Sequence, residues 1–240
     1  MAASFARDAK EAYLAYARDG FFIEPDVFTV EECRLLIEHA EALAATSQGS
    51  VRRPLMHPHR QDPVFLEAMR KPRLVAIMAQ LCGGAVAGLQ TEFFFGAPGA
   101  PGFAPHQDNY FVEAPVGAFA SAWAALVDVE RDNGALYCYP GSHRLGLLPT
   151  VETARQPGPN QDPNATQNAA VVPDDITPVD VKVPQGSVVL LHGLVAHGSH
   201  ANASAAPRYS FLSTYIETSA PYRPGRYAQR SKIALMPGVT

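Results

Sequence analysis

In the first third of the chain, apolar residues recur three and four positions apart, the period of a helix with one buried face. Phe5, Ala9, Ala12, Tyr13 and Tyr16 form such a stripe over residues 5–19, and Gly20 stops it. Phe21-Phe22-Ile23 then leads through Pro25 to Phe28. Thr29 followed three residues later by Glu32 is a capping box. It predicts a helix from about residue 30 to 45, with Leu35, Leu36, His39 and Leu43 on its inner side. Asp62-Pro63 sets an N-cap before a proline at the first helical position, which predicts a short helix over 64–69. Lys71-Pro72 opens another, which ends at Gly83-Gly84.

After Gly84 the pattern changes. Short runs rich in aromatic and β-branched residues occupy 85–96, 119–129, 135–139, 177–183, 187–192 and 208–217, separated by Gly and Pro turns. That spacing predicts an antiparallel sandwich or open barrel, not βαβ units. Residues 150–176 are rich in Pro, Asn, Gln and Asp and lack a period, so a lid-like loop is expected there. There is no internal repeat and no linker. The expectation is one domain over 1–240, with a helical layer at about 1–84 and a β core at about 85–218.

Composition narrows the class. A chain of 240 residues with 47% hydrophobic content buries a core without disulfide staples. Its 21 prolines and 18 glycines suit many turns and short strands. A net charge of −4 argues against a nucleic-acid binder. No stretch reaches the ~18 apolar residues of a membrane span. The N-terminus alternates charges with alanines and does not read as a secretory signal. Cys33, Cys82 and Cys138 lack metal-ligand spacing and read as reduced thiols in a cytoplasm.

Candidate chemistry lies in Pro105-His106-Gln107-Asp108. On a strand, residues two apart share a face, so His106 and Asp108 would present an imidazole and a carboxylate together. More histidines follow at His192, His197 and His200. Two histidines and a carboxylate on one side of a metal form the facial triad of non-haem Fe(II) oxygenases, with open positions for a cosubstrate and O₂. Alternation places His197 opposite in parity to His192 and His200, so only one parity faces the metal. Arg208 opens a β-like run. A guanidinium is costly to bury in a barrel unless it binds an anion. A dicarboxylate cosubstrate would supply that anion, with Ser199 as a further donor.

Taken together, these motifs resemble the phytanoyl-CoA dioxygenase family of Fe(II)- and 2-oxoglutarate-dependent oxygenases. The resemblance runs from Asp19-Gly20-Phe21 and the following helix through His106-Gln107-Asp108, Trp123 to Val129 and Asp132-Asn133-Gly134. It continues through Pro140-Gly141-Ser142-His143 and Gly186-Ser187 to His197-Gly198-Ser199, Asn202 and Arg208. It implies a mainly β protein with N-terminal helices and a double-stranded β-helix core, a cupin-like jelly roll. It implies Fe(II) held by His106, Asp108 and His197. It also implies 2-oxoglutarate bound by Arg208 with Ser199, Trp123 near that pocket, and O₂ as the oxidant. Such an enzyme releases succinate and CO₂ as it oxidises a substrate C–H bond. Related halogenases carry a small residue at the carboxylate position, so Asp108 points to hydroxylation.

Several residues are candidates for secondary roles. Gln90, Thr91 and Phe93 lie on the strand before the metal motif, and Gln90 is a candidate contact to the cosubstrate or substrate. Asn109 and Tyr110 are candidate substrate contacts. Arg52, Arg53, His57, His59 and Arg60 form a basic segment, with His59 the candidate substrate ligand; the plain alternative is a solvated loop. His143 reads as a turn residue. The expected partner is a small molecule: a polar or anionic metabolite first, a natural-product scaffold second, an acyl-CoA third. A metal-binding cupin-like barrel without oxygenase activity is the alternative. Oligomeric state is open.

Overall fold

The computed structural model describes residues 4–45, 53–153 and 168–235. Helix α1 (Ala9–Asp19) starts later than the apolar stripe, because the Asp8 side chain accepts the Glu11 N–H at 3.0 Å and caps it there. Gly20 ends it in the left-handed region at φ 82°, where a side chain would be strained. Helix α2 (Val30–Ala45) begins with the reciprocal capping box. The Glu32 N–H donates to Thr29 Oγ1 at 3.1 Å, and the Thr29 N–H to Glu32 Oε2 at 2.8 Å. Helices α3 (Pro63–Met69) and α4 (Pro72–Leu81) both open on proline, as their sequences predict.

The six anticipated apolar runs all contain strands. Strands β1 (Phe21–Glu24), β9 (Val188–His192), β4 (Phe119–Ala125), β11 (Ser210–Glu217), β3 (Val86–Phe94) and β2 (Leu55–Met56) lie side by side in that order, every pair antiparallel. A smaller sheet has the order β10 (His197–Ser199), β5 (Leu136–Cys138) and β8 (Val179–Val181). Period-two alternation divides the large sheet into two faces. Ala120, Ala122, Leu190, Phe211 and Tyr215 pack on Leu36, Phe65, Met69, Leu74 and Met78 of the helices. Trp123, Val189 and Leu191 face the small sheet and pack with Leu136, Cys138 and Val181. Each such fully buried Leu or Phe contributes about 1.5–3 kcal/mol. Two antiparallel sheets with helices on one outer face give the jelly-roll architecture expected from the sequence.

The segment expected to be a loop over 150–176 differs in part. Its ends pair as a two-stranded sheet of β6 (Thr150–Glu152) and β7 (Asn168–Ala170). Residues 154–167 lie outside the described residues, as does Arg52. Among the described residues no helix is long and apolar enough to cross a membrane.

Candidate active site

The site is built where the small sheet meets the loop before it. His106 and His197 form an antiparallel bridge and exchange both backbone hydrogen bonds, at 2.8 and 3.0 Å. Their rings therefore stand side by side, centroids 4.4 Å apart. Asp108 is not on a strand, contrary to the alternation argument. Its backbone is helical (φ −58°, ψ −35°) and opens the short helix α5 (Asn109–Val112). The cause is Asn109. Its backbone N–H donates to Gly193 O, and its side-chain amide bonds both the N–H and the C=O of Ala114, which winds the chain into a turn. The turn still delivers the carboxylate. Asp108 Oδ1 lies 3.6 Å from His106 Nε2 and 3.8 Å from His197 Nε2, and the three potential ligand atoms are within 4.8 Å of one another.

The surroundings suit a cation. His106 Nδ1 pairs with Ala104 O at 2.9 Å and His197 Nδ1 with Val195 O at 3.1 Å. Each Nδ1 therefore carries the proton, leaving the Nε2 lone pair towards Asp108. Ser121 donates to Asp108 Oδ2 at 2.5 Å and leaves Oδ1 for an ion. Burial and then the neighbouring His197 push the His106 pKa down to about 4. Burial acts upward on the Asp108 carboxyl, but His197, His106, the Ser121 hydrogen bond and Arg230 outweigh it and hold the group below its ordinary value. A neutral His106 imidazole beside an ionised carboxylate is a pairing that metal binding requires. Gln107, between the two, turns away and ties Leu194 O, Gly146 O and the Leu148 N–H together.

These groups open into a cavity of about 870 Å³, counting its mouth. Trp123, Gln90, Ser199 and Arg208 line the same cavity. Arg208 is buried, and burial pulls its pKa down to about 10. Its guanidinium sits 5.5 Å from the Trp123 ring centre, and its buried Nε has no hydrogen-bond partner. No carboxylate among the described residues pairs with it. Gly96, at φ 25°, makes room: a Cβ there would meet Arg208 Nε at 2.9 Å. Ser199 Oγ accepts the Phe103 N–H at 3.0 Å and so holds the loop that leads into His106.

Other candidates do not reach the cavity. The Asn109 amide is committed to Ala114, and Tyr110 packs edge-on against Phe111. His59 bonds Thr91 Oγ1 at 2.7 Å behind β3, while Phe93 joins the helical core. His200 pairs with Asp180 at 2.7 Å, and His192 stacks near His143 and Tyr16 on the helical side. Conversely, Glu92, Thr214, Phe111 and Arg230 line the cavity without having been singled out. The alternation that identified Gln90 also points to Glu92, two residues on. Arg230 arrives only because the C-terminal segment folds back. Arg223 donates to Tyr110 O at 2.7 Å, Arg230 to Phe111 O at 3.2 Å, and Ile233 bridges Gly88.

Compared with known families, residues 16–210 match phytanoyl-CoA dioxygenase (PhyH). The chain belongs to the phytanoyl-CoA dioxygenase family. This PhyH protein is 28% identical over 199 residues to phytanoyl-CoA dioxygenase 1 of Oryza sativa subsp. japonica, covering 82% of this chain and 66% of that protein. It thus spans less than two thirds of that relative's length. It is also 28% identical to L-proline trans-4-hydroxylase of Streptomyces griseoviridis, over 90% of both chains. The epimerase SnoN, solved in complex with Fe3+, alpha ketoglutarate and nogalamycin RO, shares the fold. The TM-score is 0.73 at 23% identity, over 91% of this chain and 87% of that one. The PhyH protein thus joins the family's sequence match and the double-stranded β-helix fold to a His106–Asp108–His197 group able to hold a metal ion.

Proposed function

We propose that this PhyH protein hydroxylates an unactivated C–H bond of a small polar or anionic metabolite, acting as one unit over residues 1–240. The observation that carries the reading is Arg208, a buried guanidinium with an unpartnered Nε, lining the cavity that holds the His106–Asp108–His197 cluster. A dicarboxylate supplies the anion that Arg208 lacks, and two imidazoles with one carboxylate suit Fe(II) better than structural zinc. The fit of both groups to these residues supports iron on His106, Asp108 and His197. It equally supports the distal carboxylate of 2-oxoglutarate on Arg208. When bound, iron and 2-oxoglutarate supply the oxidising power, and succinate and CO₂ leave.

The chain's own residues bind, orient and exclude. The carbonyls of Ala104 and Val195 fix the tautomers of the two imidazoles. Ser121 fixes the rotation of the carboxylate. Trp123 covers the Arg208 guanidinium and keeps water from it, which strengthens its grip on an anion. Gln90 and Ser199 offer polar groups beside the same pocket. Asp108 fills the position a halide would need, which supports hydroxylation over halogenation. The relation to L-proline trans-4-hydroxylase over nearly the whole of both chains supports a small polar substrate. Three buried free thiols suit a reducing cytoplasm.

The test is an anaerobic titration of metal-free protein with Fe(II) and then 2-oxoglutarate, followed by an O₂ pulse and a succinate assay. The expected result is a visible charge-transfer band that requires both components, then slow succinate release. Bound iron with neither band nor succinate overturns the reading. Stimulation by a natural-product scaffold or an acyl-CoA alone overturns the substrate class.

A further inference from the structure

Charge is unevenly placed along the chain. Seven of the 19 Lys and Arg residues lie in two stretches, 42–61 and 218–240, that contain no Asp or Glu, so the other 12 share the rest of the chain with all 23 acids. The fold brings the two stretches together beside the cavity. Arg60 donates to Gln229 O at 2.8 Å, and His57 Nε2 pairs with Ala228 O. The next residue of this C-terminal strap, Arg230, lines the cavity. Two residues on, Lys232 donates to Thr218 O at 2.5 Å and to Ala220 O at 3.0 Å, and Ile233 then bridges Gly88 of β3. Arg226 stands in the turn that the Arg230 N–H closes onto Pro224 O, 5.6 Å from the Tyr227 ring centre. Arg60, Arg226 and Lys232 are exposed. Their partners are carbonyls and aromatic rings, which hold a cation in place without cancelling its charge. Among the described residues no carboxylate pairs with any of the three. Arg223 differs, because Glu113 neutralises it at 2.7 Å.

We propose that Arg60, Arg226 and Lys232 form a cationic collar beside the cavity mouth that draws the 2-oxoglutarate dianion in from solution towards Arg208. The proposal rests on the oxygenase reading above and assigns a capture step to residues outside the site. The acid excess of the remaining chain repels a dianion, so range decides the balance. At about 0.1 M salt the Debye length is about 10 Å, and cations near the mouth outweigh acids spread over the rest of the surface. Hydrocarbon walls act in the same direction. Phe111, Val112 and Phe119 line the cavity, and low-dielectric walls focus field lines into a cleft. Arg208 lines that cavity too, so the ligand passes from exposed cations to a buried one. None of the three collar residues lines the cavity itself. They act on the approach of the anion and not on the bound ligand, which places their effect in the association rate.

The experiment uses the full chain loaded anaerobically with Fe(II). Association of 2-oxoglutarate is followed by stopped flow in two signals. One is growth of the charge-transfer band. The other is the fluorescence of Trp123, the single tryptophan, whose ring covers the Arg208 guanidinium. Raising NaCl from about 20 mM to about 500 mM is expected to slow wild-type association about tenfold. The variant carrying Arg60→Gln, Arg226→Gln and Lys232→Gln together is expected to associate about tenfold more slowly than wild type at low salt. It should lose the slowing with salt and match wild type at high salt, with a dissociation rate within about twofold of wild type. Exchange of cation for cation, Arg60→Lys with Arg226→Lys and Lys232→Arg, is expected to keep the wild-type association rate. Convergence at high salt separates charge from damage to the fold, since a displaced strap stays slow at every salt concentration. Three results overturn the proposal: the neutral variant associates as fast as wild type at low salt, it stays slow at high salt, or its loss of affinity lies in dissociation. If the unaltered protein gives neither signal with 2-oxoglutarate, the oxygenase reading itself has failed.

Discussion

Among the described residues, two imidazole pairs meet at nearly the same tilt, and one of them has the makings of a metal site. His106 and His197 stand 4.4 Å apart at 49°, and His143 and His192 stand 5.0 Å apart at 50°. His192 ends β9 and His197 begins β10, so one short turn feeds both pairs. Burial depresses the pKa of His192, to about 4, as it does that of His106. The difference is what completes each pair. His106 and His197 have Asp108 between their Nε2 atoms and a cavity in front. His192 Nδ1 instead accepts the Leu194 N–H at 3.0 Å, and His143 Nε2 pairs with Ala17 O at 3.1 Å, which ties α1 to the 3-10 turn at residues 142–145. Burial and proximity of imidazoles therefore do not distinguish a metal site from a packing contact; the carboxylate and the open volume do.

The strongest way to break this comparison is to remove the carboxylate. Asp108→Ala is expected to lower iron-dependent succinate formation by about a thousandfold or more, with iron content by metal analysis falling in parallel. If His192→Ala loses iron and Asp108→Ala keeps it, the assignment is inverted. Next in size is Arg208→Gln, expected to raise the KM for 2-oxoglutarate by about 100-fold, with a smaller change in kcat, as steady-state kinetics would show. His192→Ala is expected to leave iron stoichiometry at the wild-type value and to destabilise the fold by about 2 kcal/mol through the cavity it leaves, as read by urea unfolding.

The smallest effect is on pH dependence. The folded-state pKa values of His192 and His59 lie near 4, below the ordinary 6.5, through burial first. The unfolded chain therefore binds more protons than the folded one in that interval. Stability is full above about pH 6.5 and falls as pH drops towards 4. His192→Phe should flatten part of that slope in urea midpoints measured across the interval. An unchanged slope would mean that His192 is solvated.

Much of this was legible in the sequence because caps and periods are local. The Thr29–Glu32 box and the Asp62-Pro63 start placed α2 and α3 to within a residue. Six apolar runs marked six of the strands. Strands β1, β2, β6, β7 and β10 were not anticipated, since each is two to four residues long and exists only through its partners. The triad residues were legible from residue type and family motif, although the geometric reason offered for Asp108 was wrong. A turn held by Asn109, not strand alternation, turns that carboxylate towards the histidines. Arg230 left no local signal at all. Its place depends on a strap that returns from the far side of β11 to α5, and no window of sequence contains both ends of that contact.

The bridge between His106 and His197 has a consequence for biogenesis. Two prospective ligands are direct cross-strand partners, although most of the β core separates them along the chain. Such a pairing closes a long loop and belongs to the slow, non-local part of folding. A nascent chain thus cannot offer both imidazoles to an ion until residue 197 has emerged and paired. An ion held by both rings would bind only the closed small sheet and, by mass action, would stabilise it.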